Sequence, residues 1–131
     1  MCYLIEKKRE KDIWHGDFLW HSIEGIYSVY IADVTVSDVS FLRAGLANGV
    51  FGRNIKETTS DIAKENNAIF AINGDFYGFR DSGPVIRNGV LYRSNKRSGS
   101  NDVLAVYNDG SFVTMKEENV DSQNLLDSGV L

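Results

Sequence analysis

The stretch Asn73-Gly74-Asp75-Phe76-Tyr77-Gly78-Phe79-Arg80-Asp81-Ser82-Gly83-Pro84 gathers an amide, two carboxylates and a guanidinium into one glycine-rich loop. Such a set suits a polar ligand. Glycines let backbone approach a ligand closely, Asn73 and Asp75 can hydrogen-bond sugar hydroxyls, and the aromatic residues can pack against a sugar ring. The competing reading is a tight turn that uses Asn73-Gly74 for its geometry, with Phe76 and Phe79 in the core. Loops at strand ends carry function often but not always, so local chemistry alone leaves the two readings level.

Other candidates carry less. Trp14-His15 and Trp20-His21 echo each other, yet this histidine spacing matches no standard metal motif, and both read as core or surface histidines. Asp33 points either toward the loop or to a solvated face, by the alternation of its strand. Lys96 and Arg97 lie in a polar loop, where charges are usually solvated, and a phosphate contact is the minority reading.

The loop must be positioned by the elements around it. Ala68-Ile69-Phe70-Ala71-Ile72 runs straight into Asn73 and reads as a strand buried on both faces, hence a fixed platform. Before it, Thr58, Thr59 and Ser60 offer hydroxyl caps and Asp61 suits the positive end of a helix from about Thr59 to Asn66. After it, Asn88-Gly89 predicts a two-residue turn between Pro84–Arg87 and Val90–Tyr92. The same grammar joins Asp102–Tyr107 to Ser111–Met115 through Asn108-Asp109-Gly110. Upstream, Ile26–Val36 is rich in β-branched and aromatic residues and predicts a long strand, while Phe41–Gly52 reads as an irregular connection. Residues 1–25 read as an N-terminal extension with a strand at its end. At the other end, Asn124-Leu125-Leu126-Asp127-Ser128-Gly129 predicts a short helix stopped by Gly129. Together these predict an α+β fold: a mixed, largely antiparallel sheet built from the strand at 26–36, the strand at 68–72 and the two hairpins, with one or two short helices packed on it.

Composition narrows the function classes. At 131 residues and 43% hydrophobic content, the chain is one domain able to bury a core. A formal charge of -4, with no basic stripe, argues against a nucleic-acid partner. Cys2 is the only cysteine, which excludes an intrachain disulfide and a thiolate zinc site. No segment approaches the ~20 apolar residues that span a bilayer. Neither a cofactor nor a metal is called for.

Ala71-Ile72-Asn73-Gly74-Asp75-Phe76-Tyr77-Gly78 followed by Gly83-Pro84-Val85-Ile86-Arg87-Asn88-Gly89-Val90-Leu91-Tyr92 resembles the phosphodiester glycosidase family, many of whose bacterial members are labelled exopolysaccharide biosynthesis proteins. The resemblance runs from about Tyr27 through Gly110, and it departs from the family at Asp75, where many relatives carry a second glycine. It implies hydrolysis of a sugar-1-phosphodiester at the anomeric carbon. A phosphate monoester leaves readily, so the need for a strong general acid falls and the need for cations at the phosphate oxygens rises. Arg80, Arg87 and Arg93 are the candidates for that task, Asn73, Gly74 and Tyr77 complete the substrate-binding set, and Asp75 or Asp81 serves as base or orients the sugar. A non-catalytic carbohydrate-binding or scaffolding module needs the same platform and is the alternative.

The resemblance also bears on completeness. The family's Asn-Leu-Asp-Gly-Gly-like and Asp-Gly-Arg-like segments have no counterpart between Phe112 and Leu131, so residues 26–131 correspond to the N-terminal part of the family domain. The expectation is little turnover from this chain alone and self-association, as a homo-oligomer, through an uncovered edge or apolar face. An extracytoplasmic or secreted setting is implied too, with the export signal lying outside this sequence.

Overall fold

The structure is a computed structural model that describes residues 2–6, 15–21 and 29–131. In chain order the strands are β1 (Cys2–Glu6), β2 (His15–His21), β3 (Val29–Thr35), β4 (Leu42–Gly45), β5 (Ala68–Asn73), β6 (Val85–Arg87), β7 (Val90–Arg93), β8 (Asp102–Val106) and β9 (Phe112–Lys116). The helices are α1 (Thr59–Glu65) and α2 (Ser122–Asp127). Among the described residues every strand pairing is antiparallel, and the helices pack on the sheets, so the fold is α+β as expected.

The expected single sheet is instead several small ones. β1 lies between β4 and β5 in a three-stranded sheet, while β2–β3, β6–β7 and β8–β9 are separate two-stranded sheets. Three sequence expectations change with this topology. Residues 2–6, assigned to an extension, form the middle strand, and Cys2 and Leu4 are core residues. Leu42–Gly45, assigned to an irregular connection, is an edge strand, because β1 supplies hydrogen-bonding partners from Cys2↔Gly45 to Ile5↔Leu42. β5 is not buried on both faces. Among the described residues it pairs with β1 alone and leaves Ile69 and Ile72 exposed, Ile72 by 54%. The strand expected over 26–36 is described as Val29–Thr35, and residues 26–28 lie outside the described residues.

Local signals act as written. Thr58 caps α1 by accepting from the Asp61 N–H at 3.2 Å, and its hydroxyl donates to the Asp61 carboxylate at 2.6 Å. Ile62 then drops from the helix into a core with Cys2, Leu4 and Ala47. α2 is capped by Asp121, whose carboxylate accepts from the N–H groups of Gln123 and Asn124. It ends at Gly129, where paired hydrogen bonds run from Gly129 N to Leu126 O and from Val130 N to Leu125 O. Val130 and Leu125 thereby join a second core with Ile86, Ala105 and Leu91, shared by both hairpins.

The turn of the β6–β7 hairpin links the two cores. Asn88 and Gly89 take φ of 52° and 73°, as a two-residue hairpin turn demands. In that pose the Asn88 amide reads the backbone of β4: Ala44 N–H donates to Oδ1 and Nδ2 donates to the Ala44 carbonyl, both at 2.9 Å. Asn88 thus acts as a one-residue strand partner for an otherwise open edge. Replacing Asn88 with Ala should cost about 1–2 kcal/mol in urea unfolding, from two lost hydrogen bonds and a Cβ at positive φ. Asn88→Gly keeps the turn and isolates the hydrogen-bond part. Identical midpoints for both variants and the wild-type chain would show that the clamp adds nothing.

Candidate functional site

Arg93, at the end of β7, turns back across the loop that begins at Asn73. Its Nε donates to the Gly83 carbonyl at 2.7 Å, and one terminal nitrogen donates to the carbonyls of Arg80 at 2.6 Å and Tyr77 at 3.3 Å. One guanidinium thus ties down three backbone oxygens. Burial pushes the Arg93 pKa below its usual value, and neighbouring Arg80 pushes it the same way. Arg93 is therefore an internal brace, not a cleft residue.

Beneath the brace, Tyr77 is buried and stacks on Phe51 with ring centroids 5.0 Å apart, and Phe51 stacks in turn on Tyr92 at 4.9 Å. Burial raises the Tyr77 phenol above its usual pKa, against an opposing effect of Arg87. Phe76 and Phe79, which the tight-turn reading places in the core, are instead 76% and 58% exposed. Gly83 sits at φ +92°, and a Cβ there would press on Arg80 and stand 2.7 Å from a Glu117 carboxylate oxygen, so this position needs glycine.

With the loop fixed, Arg80 is aimed at Asp75. One terminal nitrogen of Arg80 pairs with Asp75 Oδ2, and the other donates to the Ser82 carbonyl at 2.6 Å. Arg87, from the end of β6, approaches the same Asp75 oxygen at 3.6 Å. Asp75, Arg80 and Arg87 line one cleft of about 310 Å³. β4 contributes Arg43 to it, β8 contributes Asp102 and Val103, and the chain's end contributes Leu125 and Val130.

The other sequence candidates lie elsewhere. Asp81 is 72% exposed and pairs with Arg53 at the surface, outside the cleft. Asn73 is exposed and accepts a hydrogen bond from the Thr59 hydroxyl, so it ties β5 to the start of α1 and does not line the cleft. Neither Gly74 nor Tyr77 lines the cleft. Asp33 is exposed, and the side chains of His15 and His21 lie outside the described residues.

Glu117 is a cleft residue that sequence reasoning passed over. It is only 2% exposed, pairs with Arg97 Nη2 at 3.2 Å and accepts the Arg97 backbone N–H at 3.1 Å. Arg97, read as a solvated loop charge, therefore enters the cleft wall beside it. Lys96 points away and donates to the Glu118 carbonyl. The only signal for Glu117 is its place just past a hairpin strand, and the run Lys116-Glu117-Glu118 looks like a solvated face. Among the described residues no group of three or more His, Cys, Asp or Glu is placed to hold a metal ion, and no helix is long and apolar enough to cross a membrane.

Chemically, the cleft presents guanidinium groups fixed by carboxylates beside an apolar wall of Ile86, Val103 and Val130. That pairing fits a compact anionic ligand with a less polar body. Comparison with protein-family models, with curated proteins and with solved structures found no match.

The brace is directly testable. Arg93→Met removes the donor shared by three carbonyls and should cost about 3 kcal/mol in chemical denaturation. Arg93→Lys should recover only part of that, since an ammonium lacks the planar fork. A methionine variant as stable as the wild-type chain would show that the loop holds itself.

Proposed function

We propose that the chain is a phosphodiester glycosidase-like hydrolase acting on a sugar-1-phosphodiester of a glycan or exopolysaccharide, with its substrate in the cleft lined by Asp75, Arg80 and Arg87. The observation that carries this reading is the convergence of those three residues, named from sequence, in one cleft of about 310 Å³. That volume lies at the lower end of the ~300–1,000 Å³ range of small-molecule sites, the scale of a single sugar phosphate.

In the reaction, water attacks the anomeric carbon, the C1–O bond breaks, and its electron pair leaves with the phosphate monoester. The guanidinium groups of the cleft balance the charge on the phosphate oxygens. The water's proton passes to a carboxylate base, and Asp75 is the one we assign to that role. Because the leaving group needs little protonation, one well-placed carboxylate serves where an ordinary glycosidase employs two.

A specific observation favours the second reading, a non-catalytic carbohydrate-binding module. Asp81, the other candidate acid, faces solvent and is paired with Arg53, so the loop brings one carboxylate to the cleft where two were expected.

A turnover assay on a synthetic sugar-1-phosphodiester, run beside calorimetric binding of the same compound, separates the two. As an enzyme, the wild-type chain should release reducing sugar, Asp75→Asn should lose about 100-fold or more in rate, and Asp81→Asn should behave as wild type. As a binding module, it should bind without turnover, and Arg87→Ala should weaken that binding. Neither binding nor turnover would contradict both readings.

A further inference from the structure

Among the described residues four guanidinium groups line the cleft, and three of them already face a carboxylate. Arg80 and Arg87 share Asp75, and Arg97 is held by Glu117. The fourth is different. Arg43 enters from β4 and makes no ion pair and no side-chain hydrogen bond among the described residues. Its Nε is buried without an acceptor, and so is the Nε of Arg97.

A guanidinium drawn partly out of water without a counter-ion carries a desolvation cost that an incoming anion offsets. Arg80 and Arg87 gain less from such an anion, because Asp75 has already balanced part of their charge and repels a second negative group. β4 is also held in place for this task, since the Asn88 amide grips Ala44, the neighbour of Arg43, through both its N–H and its carbonyl. We infer that Arg43, supported by Arg97, is the phosphate anchor of the cleft, and that Arg80 and Arg87 chiefly position Asp75 toward the rest of the ligand. This assignment rests on the reading of the cleft as a phosphodiester site and names the residue that selects for the phosphate. The ligand class is a phosphate-type oxyanion, either free or as the diester of a sugar.

The test is titration calorimetry of the full chain with inorganic phosphate and, separately, with a sugar-1-phosphodiester, for the wild-type chain and for Arg43→Ala, Arg43→Lys, Arg43→Gln and Arg53→Ala. Circular dichroism melting accompanies each variant. Wild type should bind both probes, and Arg43→Ala should weaken both by about 10-fold or more, the usual loss for one charge-assisted contact. Arg43→Lys should fall between, and Arg53→Ala, outside the cleft, should match wild type. Should the alanine variant fail to fold, Arg43→Gln keeps the side chain's bulk and removes its charge, and should show the same loss. Unchanged affinity in a folded Arg43→Ala or Arg43→Gln chain overturns the assignment while leaving the wider reading standing if the diester still binds wild type. Equal losses in Arg43→Ala and Arg53→Ala overturn it in favour of a general surface-charge effect. Absence of binding by wild type to either probe overturns both.

Discussion

The candidate site depends on one half-buried guanidinium that does not line the cleft. Arg93 bonds to the carbonyls of Tyr77, Arg80 and Gly83, and of these the Gly83 oxygen also takes a donor from the loop itself, from Arg80. Loops of this kind ordinarily run over the surface because their backbone groups need water. Here a charged fork from the neighbouring hairpin substitutes for water, so the loop lies against the body of the protein with Gly83 buried. Arg80 is thereby placed with one nitrogen on Asp75 and another on the Ser82 carbonyl. Arg80 is also held by its own bonds to the Ser82 and Gly83 carbonyls, so the brace and the loop together set its direction and, through it, that of Asp75.

A second constraint joins the two halves of the cleft. One core gathers β1, β5 and α1 around Leu4 and Ile62, and the other gathers both hairpins and α2 around Ile86, Ala105 and Val130. The β1–β4–β5 sheet ends at β4, whose open edge would be a liability for pairing with other chains. The Asn88 amide covers part of that edge and brings β4, with Arg43, against the hairpin that carries Arg87. The cleft is the space between these two bodies, which explains why its polar residues come from several separate elements.

Features set by neighbours in sequence were legible from it. The Thr58 and Asp121 caps, the Asn88-Gly89 turn and the Gly129 helix end each depend on residues within a few positions. Features set by distant partners were not. Ala68–Ile72 has the apolar run of a central strand, but among the described residues β5 lies at the edge of its sheet. β1 has only five residues and lies beside a charged run, so its role as the middle strand follows from β4 and β5 and not from its own composition. The candidate site divides the same way. Asp75, Arg80 and Arg87 were found because the loop and the hairpin present them locally. Asp81 points outward because Arg53, far upstream, draws it there, while Glu117 is buried because Arg97 meets it across a 20-residue separation.

Under the proposed function, the cleft between the two cores receives a phosphate-bearing ligand. The most direct test is a nitrogen-15 NMR titration that follows the arginine side-chain Nε–H resonances while a sugar 1-phosphate is added. The expected result is saturable, concerted shifts of the Arg43, Arg87 and Arg97 signals, with Arg53 unmoved and Arg93 changed little because its Nε–H already donates to the Gly83 carbonyl. Shifts confined to Arg53 and other surface groups, or no saturable shift at any of the cleft arginines, would contradict it.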